Sequence, residues 1–354
     1  MINSTNKFLP WMKEKIKAFG LPRIIIALFL LFLFIVAPFV QVNIAQSLSD
    51  VLARFGMNAI MVLAMVPMIH SGCGLNFGLP LGIIAGLLGG TIAIELNFVG
   101  PASFYMAILL ATPFAILFGW GYGKLLNRVK GSEMMIATYV GFSSVAFMCI
   151  MWIILPYHSP TMVWGFQGQG LRTTISTEGF YLHVLNDFLS INIGHLTIPV
   201  GMILFFAVFA FGMWAFLHTK TGTAMTAVGS NAVFAKASGI NINKIRILSV
   251  ILSTWLGAIG ILVYQQSFGF IQLYMGPFFM ALPAVSAILI GGASVNKATI
   301  TNVIVGTFLF QGILTMTPSV MNSAIQTDMS EVIRIIVSNG MILYALTRKT
   351  EGQN

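Results

Sequence analysis

Charged residues are scarce in this chain of 354 residues. Asp, Glu, Lys and Arg make up only 8% of the sequence, whereas about 25% of the residues of an ordinary soluble domain are charged. Hydrophobic residues make up 57%. A water-soluble protein with so few charges could not cover its own surface, so the composition indicates a protein whose solvent is lipid.

Metal-ligating residues are equally sparse. The two cysteines, Cys73 and Cys149, lie in apolar stretches outside any CxxC pattern, and we expect them to be small apolar core residues. The five histidines show no metal-ligand spacing. The sequence therefore predicts no metal site.

Catalytic motifs are missing as well. The sequence has no G-x-x-x-x-G-K-[ST] phosphate loop, no HExxH, no GxSxG and no paired carboxylates. The sequence therefore offers no credible catalytic residues for a membrane-embedded enzyme. If ATP drives a process in which this chain takes part, the ATPase must be another chain.

Long apolar runs are what the chain has in abundance. A helix needs about 20 apolar residues to cross the hydrocarbon core, and no gap is large enough for a soluble domain. The pattern predicts one all-α polytopic membrane domain of about ten transmembrane helices, the eighth of them short enough to be a half-helix or re-entrant. The candidate spans are 22–40, 51–70, 78–95, 101–123, 133–155, 196–217, 247–268, 278–292, 299–317 and 330–347.

The first apolar run, Ile24 to Val40, follows a basic N-terminus. A cleaved signal peptide is the alternative interpretation. Because the run is long and no small-x-small cleavage site follows it cleanly, we favour a retained first helix.

The basic residues predict the orientation. With the N-terminus in the cytoplasm, ten crossings place all but three of the 18 Lys and Arg residues on the cytoplasmic side, as the positive-inside rule requires. The exceptions are Arg54, Arg172 and Arg334. The net charge of +9 is therefore explained by a cell membrane, and not by nucleic acid.

The same topology divides the chain. It predicts a basic cytoplasmic N-terminus (1–21), a transmembrane domain (22–347) and a cytoplasmic tail (348–354). Two longer connections are an outer loop (156–195) and a basic inner loop (218–246). Within the inner loop Ser230 or Asn231 can cap a short helix at about 232–238, and Gly239 can end it.

Ionisable residues are almost absent from the middles of the spans. His70, Glu95, Glu133 and Arg334 all lie near predicted ends. Ion-coupled carriers usually keep such groups inside their helices, where they are costly and functional. Their absence argues against a secondary transporter and favours a conduit whose energy comes from elsewhere.

The junction Ser71–Pro80 interrupts two spans with glycines and a proline. Broken helices are tolerated at membrane depth where they line a cavity or are buried in protein. We therefore consider Asn76 and Phe77 as residues of a solute pathway. The alternative is close helix packing by the stripe Gly78, Gly82 and Gly86.

Polar residues inside other spans have two interpretations. Asn58, Gln265 and Gln311 can make hydrogen bonds between helices, or they can recognise a hydroxylated or heterocyclic solute. Tyr264 and Phe268 are near enough in sequence to stack on a sugar or base. The three amides join Asn76 and Phe77 as candidate pathway residues.

The inner loop carries a family resemblance. Its T-x-x-G…A-V-G-x-N-x-x-x-A-x-x-x-G-I-N pattern, from Thr219 to Asn241, resembles the permeases of ABC importers for ribose-like sugars, nucleosides and branched-chain amino acids. The stretch Ile288–Ser294, followed by Gly306-Thr307, looks like the same family's A-x-x-x-G-G-x-S…G-T segment. In the N-terminal half, Asn76–Leu79 resembles the nucleoside branch, although Pro80 stands where that branch has Glu.

The resemblance implies an assembly. Two permeases form the pore, as a homodimer or as two related chains, with cytoplasmic ATPase subunits that carry ATP and Mg²⁺ and an extracytoplasmic binding protein. This chain would bind no cofactor of its own. A nucleoside is the favoured substrate and a simple sugar the next. The segment expected to couple the permease to the ATPase comprises Gly229, Ser230, Asn231, Ala235, Lys236 and Gly239.

Overall fold

A computed structural model describes residues 21–163 and 170–325, together with Val332, Ile335, Ile336, Asn339 and Gly340. A single 3₁₀ turn, Ala37–Val40, follows the first helix. The α-helices are α1 (Leu21–Val36), α2 (Ile44–Leu63), α3 (Met65–His70), α4 (Pro80–Glu95), α5 (Gly100–Arg128), α6 (Glu133–Ile154), α7 (Val184–Asp187), α8 (Val200–Leu217), α9 (Lys220–Ser230), α10 (Ala232–Ala237), α11 (Ile242–Phe268), α12 (Gly276–Ile290) and α13 (Ile300–Ile325). The strands are β1 (Thr174–Ser176), β2 (Ser190–Ile193), β3 (Leu196–Pro199) and β4 (Phe270–Gln272).

Nine of the ten predicted spans correspond to apolar helices within the described residues. Seven are long and apolar enough to cross a membrane, counting α2 and α3 as one, while α4 and α12 are shorter. The eighth predicted span corresponds to a helix of only 15 residues, in agreement with its predicted shortness. The tenth, 330–347, lies largely outside the described residues, as do the N-terminus 1–20 and the tail 348–354, so the total of about ten stays a prediction.

The second span begins seven residues earlier than expected. The predicted start was residue 51, because the preceding residues are polar. In the structure Asn43 caps α2, and its side chain accepts hydrogen bonds from the backbone N–H groups of Ala45 (2.9 Å) and Gln46 (3.3 Å). The polar turn is helical because its serines are buried: Ser49 accepts a hydrogen bond from the N–H of Thr197 (2.7 Å).

The helices form a central group and a periphery. The central helix is α11, which packs against α2, α4 and α5, and α13 packs against α2. In the most apolar 18-residue stretch of the candidate span that contains α2 and α3, 83% is buried. The corresponding stretches of α6 and α1 are only 22% and 17% buried. The peripheral helices therefore present most of their apolar side chains outwards.

The glycine stripe of α4 explains how closely the central helices approach. A Cβ at Gly82 would lie 2.5 Å from the backbone oxygen of Thr254, and one at Gly86 would lie 2.5 Å from that of Ala258. A Cβ at Gly78 would come 2.6 Å from the hydroxyl of Tyr122. The close-packing interpretation is thus confirmed for all three glycines.

Two small antiparallel ladders modify the all-α prediction. β1 pairs with β4, with Ile175 opposite Ile271, and β2 pairs with β3. The first ladder ties the outer loop to the chain that leaves α11. Gly269, which ends α11 with φ +85°, permits the sharp turn into β4.

We predict that Gly86→Ala destabilises the bundle. The added methyl group would overlap Ala258 and Ile261, and overpacking of this kind costs about 1–3 kcal/mol. The matched control is Gly121→Ala on α5, where nothing lies within 4 Å of the added Cβ. The melting temperatures of the two purified variants should differ clearly, and equal values would contradict the packing.

Candidate functional site

The chain is unwound between the end of α3 at His70 and the start of α4 at Pro80. Gly72 and Gly74 adopt φ values of +72° and +77°, a region that favours glycine. A second break separates α2 from α3 at Ala64, just before Pro67, which has no N–H to donate. The predicted interruption of the helices at Ser71–Pro80 is therefore confirmed.

Asn76 lies in the middle of this junction with its side chain fully buried. Its Nδ2 donates to the hydroxyl of Ser253 (2.7 Å), and its Oδ1 accepts from the hydroxyl of Tyr122 (3.2 Å). Ser253 in turn donates to the backbone oxygen of Ala64 (2.6 Å). In this structure Asn76 is thus a structural link between α5, α11 and the break after α2, and its role in a solute pathway stays a prediction.

The other candidate pathway residues make no hydrogen bond to the side chain of Asn76. Phe77 is half-buried against the hydrophobic core, and Gln311 is 4% exposed on α13. The Oε1 of Gln265, fully buried, accepts from the hydroxyl of Tyr181 (3.1 Å). Asn58 donates to the backbone oxygen of Arg54 (2.9 Å) one turn earlier. No hydrogen bond joins any two of the five, all of which belong to the described part of the chain.

Tyr181 belongs to the outer loop, and its environment fixes its role. The side chain is fully buried, and this burial raises the pKa of its phenol well above the ordinary value. The phenol therefore stays a neutral donor to Gln265. The contact anchors the outer loop to the outer end of α11.

A buried ion pair closes the inner end of the junction. Arg246, at the start of α11, is 6% exposed and lies 2.5 Å from the carboxylate of Glu133 at the start of α6. Its Nε also donates to the Sγ of Cys73 (3.2 Å). The carboxylate of Glu133 accepts the N–H of Gly131 as well (2.9 Å). Sequence spacing identified Glu133 only as a residue near a span end, because its partner is 113 positions away.

The inner loop consists of two helices in series, of which only the second was predicted. Thr219 caps α9 by accepting the N–H of Gly222 (3.2 Å). Asn231 caps α10 by accepting the N–H of Phe234 (2.9 Å). Gly239 follows α10 with φ +80°. The short helix predicted at about 232–238 is therefore confirmed, and Asn231, not Ser230, is its cap.

The first of these helices, α9, packs directly on the junction. A Cβ at Gly229 would lie 2.3 Å from the backbone oxygen of His70, so only glycine fits there. The ring of His70 contacts Thr226 of α9 through Nδ1 (3.1 Å) and the backbone oxygen of Ala298 through Nε2 (2.7 Å). His70 therefore joins α9 to the turn before α13, a role that its position near a span end did not reveal.

The second helix, α10, presents an apolar surface outwards. Val233 is 81% exposed and Phe234 is 66% exposed. Ala235, in the same helix, is fully buried. Lys236 and Ser230 are exposed. Val233 and Phe234 thus form a small exposed apolar patch on a basic face of the inner loop.

Metal ligands do not cluster anywhere in the described parts of the chain. No group of three or more His, Cys, Asp or Glu side chains there could hold a metal ion.

Comparison with known proteins identifies the family. The model of the branched-chain amino acid transport system permease component matches residues 14–345. The chain belongs to this family. The predicted resemblance is thereby confirmed: the protein is a multi-pass membrane permease subunit of an ABC importer.

Individual relatives are distant. The chain is 25% identical to the ribose import permease protein of Haemophilus influenzae over 268 residues, which is 75% of each chain. It is 25% identical to the autoinducer 2 import system permease protein of an Enterobacter strain over 211 residues, which is 59% of this chain and 56% of the relative. A solved structure of an inward-facing metal-chelate type ABC transporter aligns over 85% of each chain at 14% identity, with a TM-score of 0.41. A structural likeness at that level supports no conclusion about this permease.

We predict that Glu133→Ala destabilises the permease more than the loss of one contact suggests. Arg246 would be left buried without its counter-charge, which costs about 3–5 kcal/mol for a fully buried pair and less here because the Glu133 side chain is 17% exposed. The measurement is the melting temperature of the purified permease.

The control for this prediction is the double variant Glu133→Leu/Arg246→Met, which removes both charges. It should recover most of the lost stability, since no unpaired charge remains. If the double variant melts as early as Glu133→Ala, the unpaired charge of Arg246 is not the cause of the lost stability.

Proposed function

We propose that this permease conducts a simple sugar delivered by an extracytoplasmic binding protein. We also propose that a cytoplasmic ATPase drives transport by acting on α9 and α10. A second permease chain, identical or related, would complete the pore. The observation that carries the coupling proposal is the exposed apolar pair Val233 and Phe234 on a capped helix whose neighbour α9 is fixed to the membrane core.

The substrate proposal rests on the relatives. The permease that matches 75% of the chain is a ribose permease, which favours a simple sugar. The sequence favoured a nucleoside from the resemblance at Asn76–Leu79. Since Asn76 makes two buried hydrogen bonds within the chain, its match to the nucleoside branch does not by itself indicate a nucleoside ligand. Nucleosides therefore become the second candidate class.

The mechanical argument for α10 follows from its connections. A partner that pushes on α10 pushes on α9, because the single residue Asn231 joins the two helices. Gly229 of α9 lies against the backbone of His70 and Gly72 without room for a methyl group. Displacement of α9 must therefore displace the unwound junction. Close-packed interiors transmit such shifts because they compress little.

The cytoplasmic location of this loop is also part of the proposal. It rests on the charge bias, which places the basic residues of the inner loop and of the N-terminus on the same side. Both termini would then be cytoplasmic.

We predict that Val233→Ser/Phe234→Ser uncouples the importer. Loss of two exposed apolar anchors should weaken binding of the ATPase subunit by at least about tenfold, since buried aromatic anchors dominate interface energies. The readouts are co-purification of the ATPase subunit and substrate-stimulated ATP hydrolysis in the reconstituted importer. Membrane insertion should be normal because neither side chain packs on the core.

The matched control is Ile191→Ser/Ile193→Ser. These residues form a similarly exposed apolar pair, 49% and 64% exposed, on β2 at the opposite end of the molecule. This variant should retain the ATPase subunit and its stimulation. An uncoupled control, or a fully coupled α10 variant, would contradict the assignment of α10 as the docking element.

We predict opposite sidedness for the two loops. Cysteine introduced at the exposed Glu178 should react with a membrane-impermeant thiol reagent added to intact cells. Cysteine at the exposed Ser230 should react only after permeabilisation. Labelling of both positions from the same side would overturn the topology while leaving the helix assignment intact.

A further inference from the structure

Membership of the permease family does not explain why a charged residue, Arg54, lies within α2. The residue lies on the outer side of the predicted topology, one turn after Asp50, so the two side chains share a helix face. Both are exposed. Asp50 hydrogen-bonds the side chain of Gln46 and interacts electrostatically with Arg54, but within the described residues neither charge forms a direct ion pair within 4.0 Å. Charged side chains within membrane helices are costly and usually have a functional partner.

The two charges line a polar cavity. Its volume is about 560 Å³, within the usual range of small-molecule sites, about 300–1,000 Å³. The cavity lies between α2, α7, the outer end of α11 and α13. It is lined by Asp50, Ala53, Arg54, Met57, Asn186, Ser267, Phe268, Leu314, Thr315, Pro318 and Ser319.

One wall of the cavity is preorganised by hydrogen bonds. Gln266, which is fully buried, donates to the Oδ1 of Asn186 (2.9 Å), and the Nδ2 of Asn186 donates to the hydroxyl of Ser267 (2.9 Å). The Ser267 hydroxyl therefore keeps its proton for another acceptor. On the opposite wall the hydroxyls of Thr315 and Ser319 donate to backbone oxygens one turn earlier, at 2.7 Å and 3.0 Å, and leave lone pairs free to accept.

The position of the cavity favours a water-soluble ligand over a lipid. Arg54 lies about 24 Å from His70 along the helix axis, and Thr315 about 22 Å from the start of α13, so on the predicted topology the cavity lies in the outer half of the bundle. It lies among the central helices α2, α11 and α13, whose apolar segments are mostly buried. The lipid-facing helices α1 and α6 contribute no lining residue.

We infer that this cavity is an outer solute-binding site of the permease for a neutral polyhydroxylated ring, such as a monosaccharide. Arg54 and Ser267 donate to ring hydroxyls, and Asp50, Thr315 and Ser319 accept from them. The 42% exposed ring of Phe268 offers an apolar face to the C–H side of the sugar. This inference rests on the proposed function and assigns its substrate class to residues that the sequence did not select as pathway residues.

The test is protection from labelling in the permease alone, reconstituted in liposomes. Ser319→Cys, in a Cys149→Ala background with the buried Cys73 retained, should react with an impermeant thiosulfonate reagent from the outer face. Saturating D-ribose should slow that reaction by about tenfold. Adding Arg54→Met should abolish the protection, because a lost hydrogen bond to a charged group weakens binding by about tenfold or more.

Three controls make the outcome decisive. Glu178→Cys, exposed outside the cavity, should react at a rate that ribose leaves unchanged. Arg54→Lys, which keeps the charge, should retain part of the protection and shows that loss in Arg54→Met is not misfolding. Labelling that ribose does not slow, or that instead accelerates when phosphatidylethanolamine is extracted, would overturn the inference and in the second case identify a lipid site.

A separate measurement, uptake by the complete importer, tests the proposed function. If the complete wild-type importer takes up no simple sugar, the sugar assignment is wrong, whereas ribose protection of Ser319→Cys still decides whether the cavity binds a polyhydroxylated ring. If the importer takes up ribose and Arg54→Met transports it at the wild-type rate, the function stands and the cavity is not on the route.

Discussion

The structure depends on one polar edge of α11, which holds together a chain that is unwound inside the bundle. Arg246, Ser249 and Ser253 are spaced at i, i+3 and i+7 and therefore lie on one helix face. Ser249 donates to the hydroxyl of Ser71 (2.6 Å), and Ser253 accepts from Asn76 and donates to Ala64. Breaking a helix in a membrane leaves polar groups that each cost several kcal/mol if unpaired. Ser253 satisfies the backbone oxygen of Ala64, and local bonds such as Cys73 N–H to Met68 O satisfy other groups of the unwound chain. The α11 side chains also hold Ser71 and Asn76 in place, so the break can persist.

That arrangement places the junction against α9 of the inner loop. Gly229 packs against His70 and Gly72, and His70 also contacts the turn before α13 through Ala298. A junction made of regular helix would offer only side chains to α9. The unwound chain instead offers backbone at close approach, and small residues on both sides make the contact rigid. The unwound junction, which glycines and a proline mark in the sequence, is therefore the segment through which α9 can act on the central helices.

Local signals in the sequence predicted much of the fold, and distant pairings account for what was missed. Asn231 caps α10 from three residues away, and the apolar spans follow from composition, so both were predictable. The start of α2 was placed too late because Ser49 is buried through a bond to Thr197, 148 positions away. Likewise β1 pairs with β4 across almost 100 residues. Asn76 and Gln265 resembled solute ligands because a polar residue in an apolar run carries no sign of whether its partner is a solute or Ser253.

The charged residues at the two ends of the molecule are arranged differently. At the inner end the charges of Arg246 and Glu133 neutralise each other and are buried, which suits a fixed mechanical connection. At the other end Asp50 and Arg54 line a cavity, and they interact electrostatically without a direct ion pair within 4.0 Å. Between them the polar residues are neutral and satisfied mostly within the protein. Within the described part of the chain, the middles of the helices therefore offer few charges on which an ion gradient could act, which agrees with an importer whose energy comes from a partner ATPase.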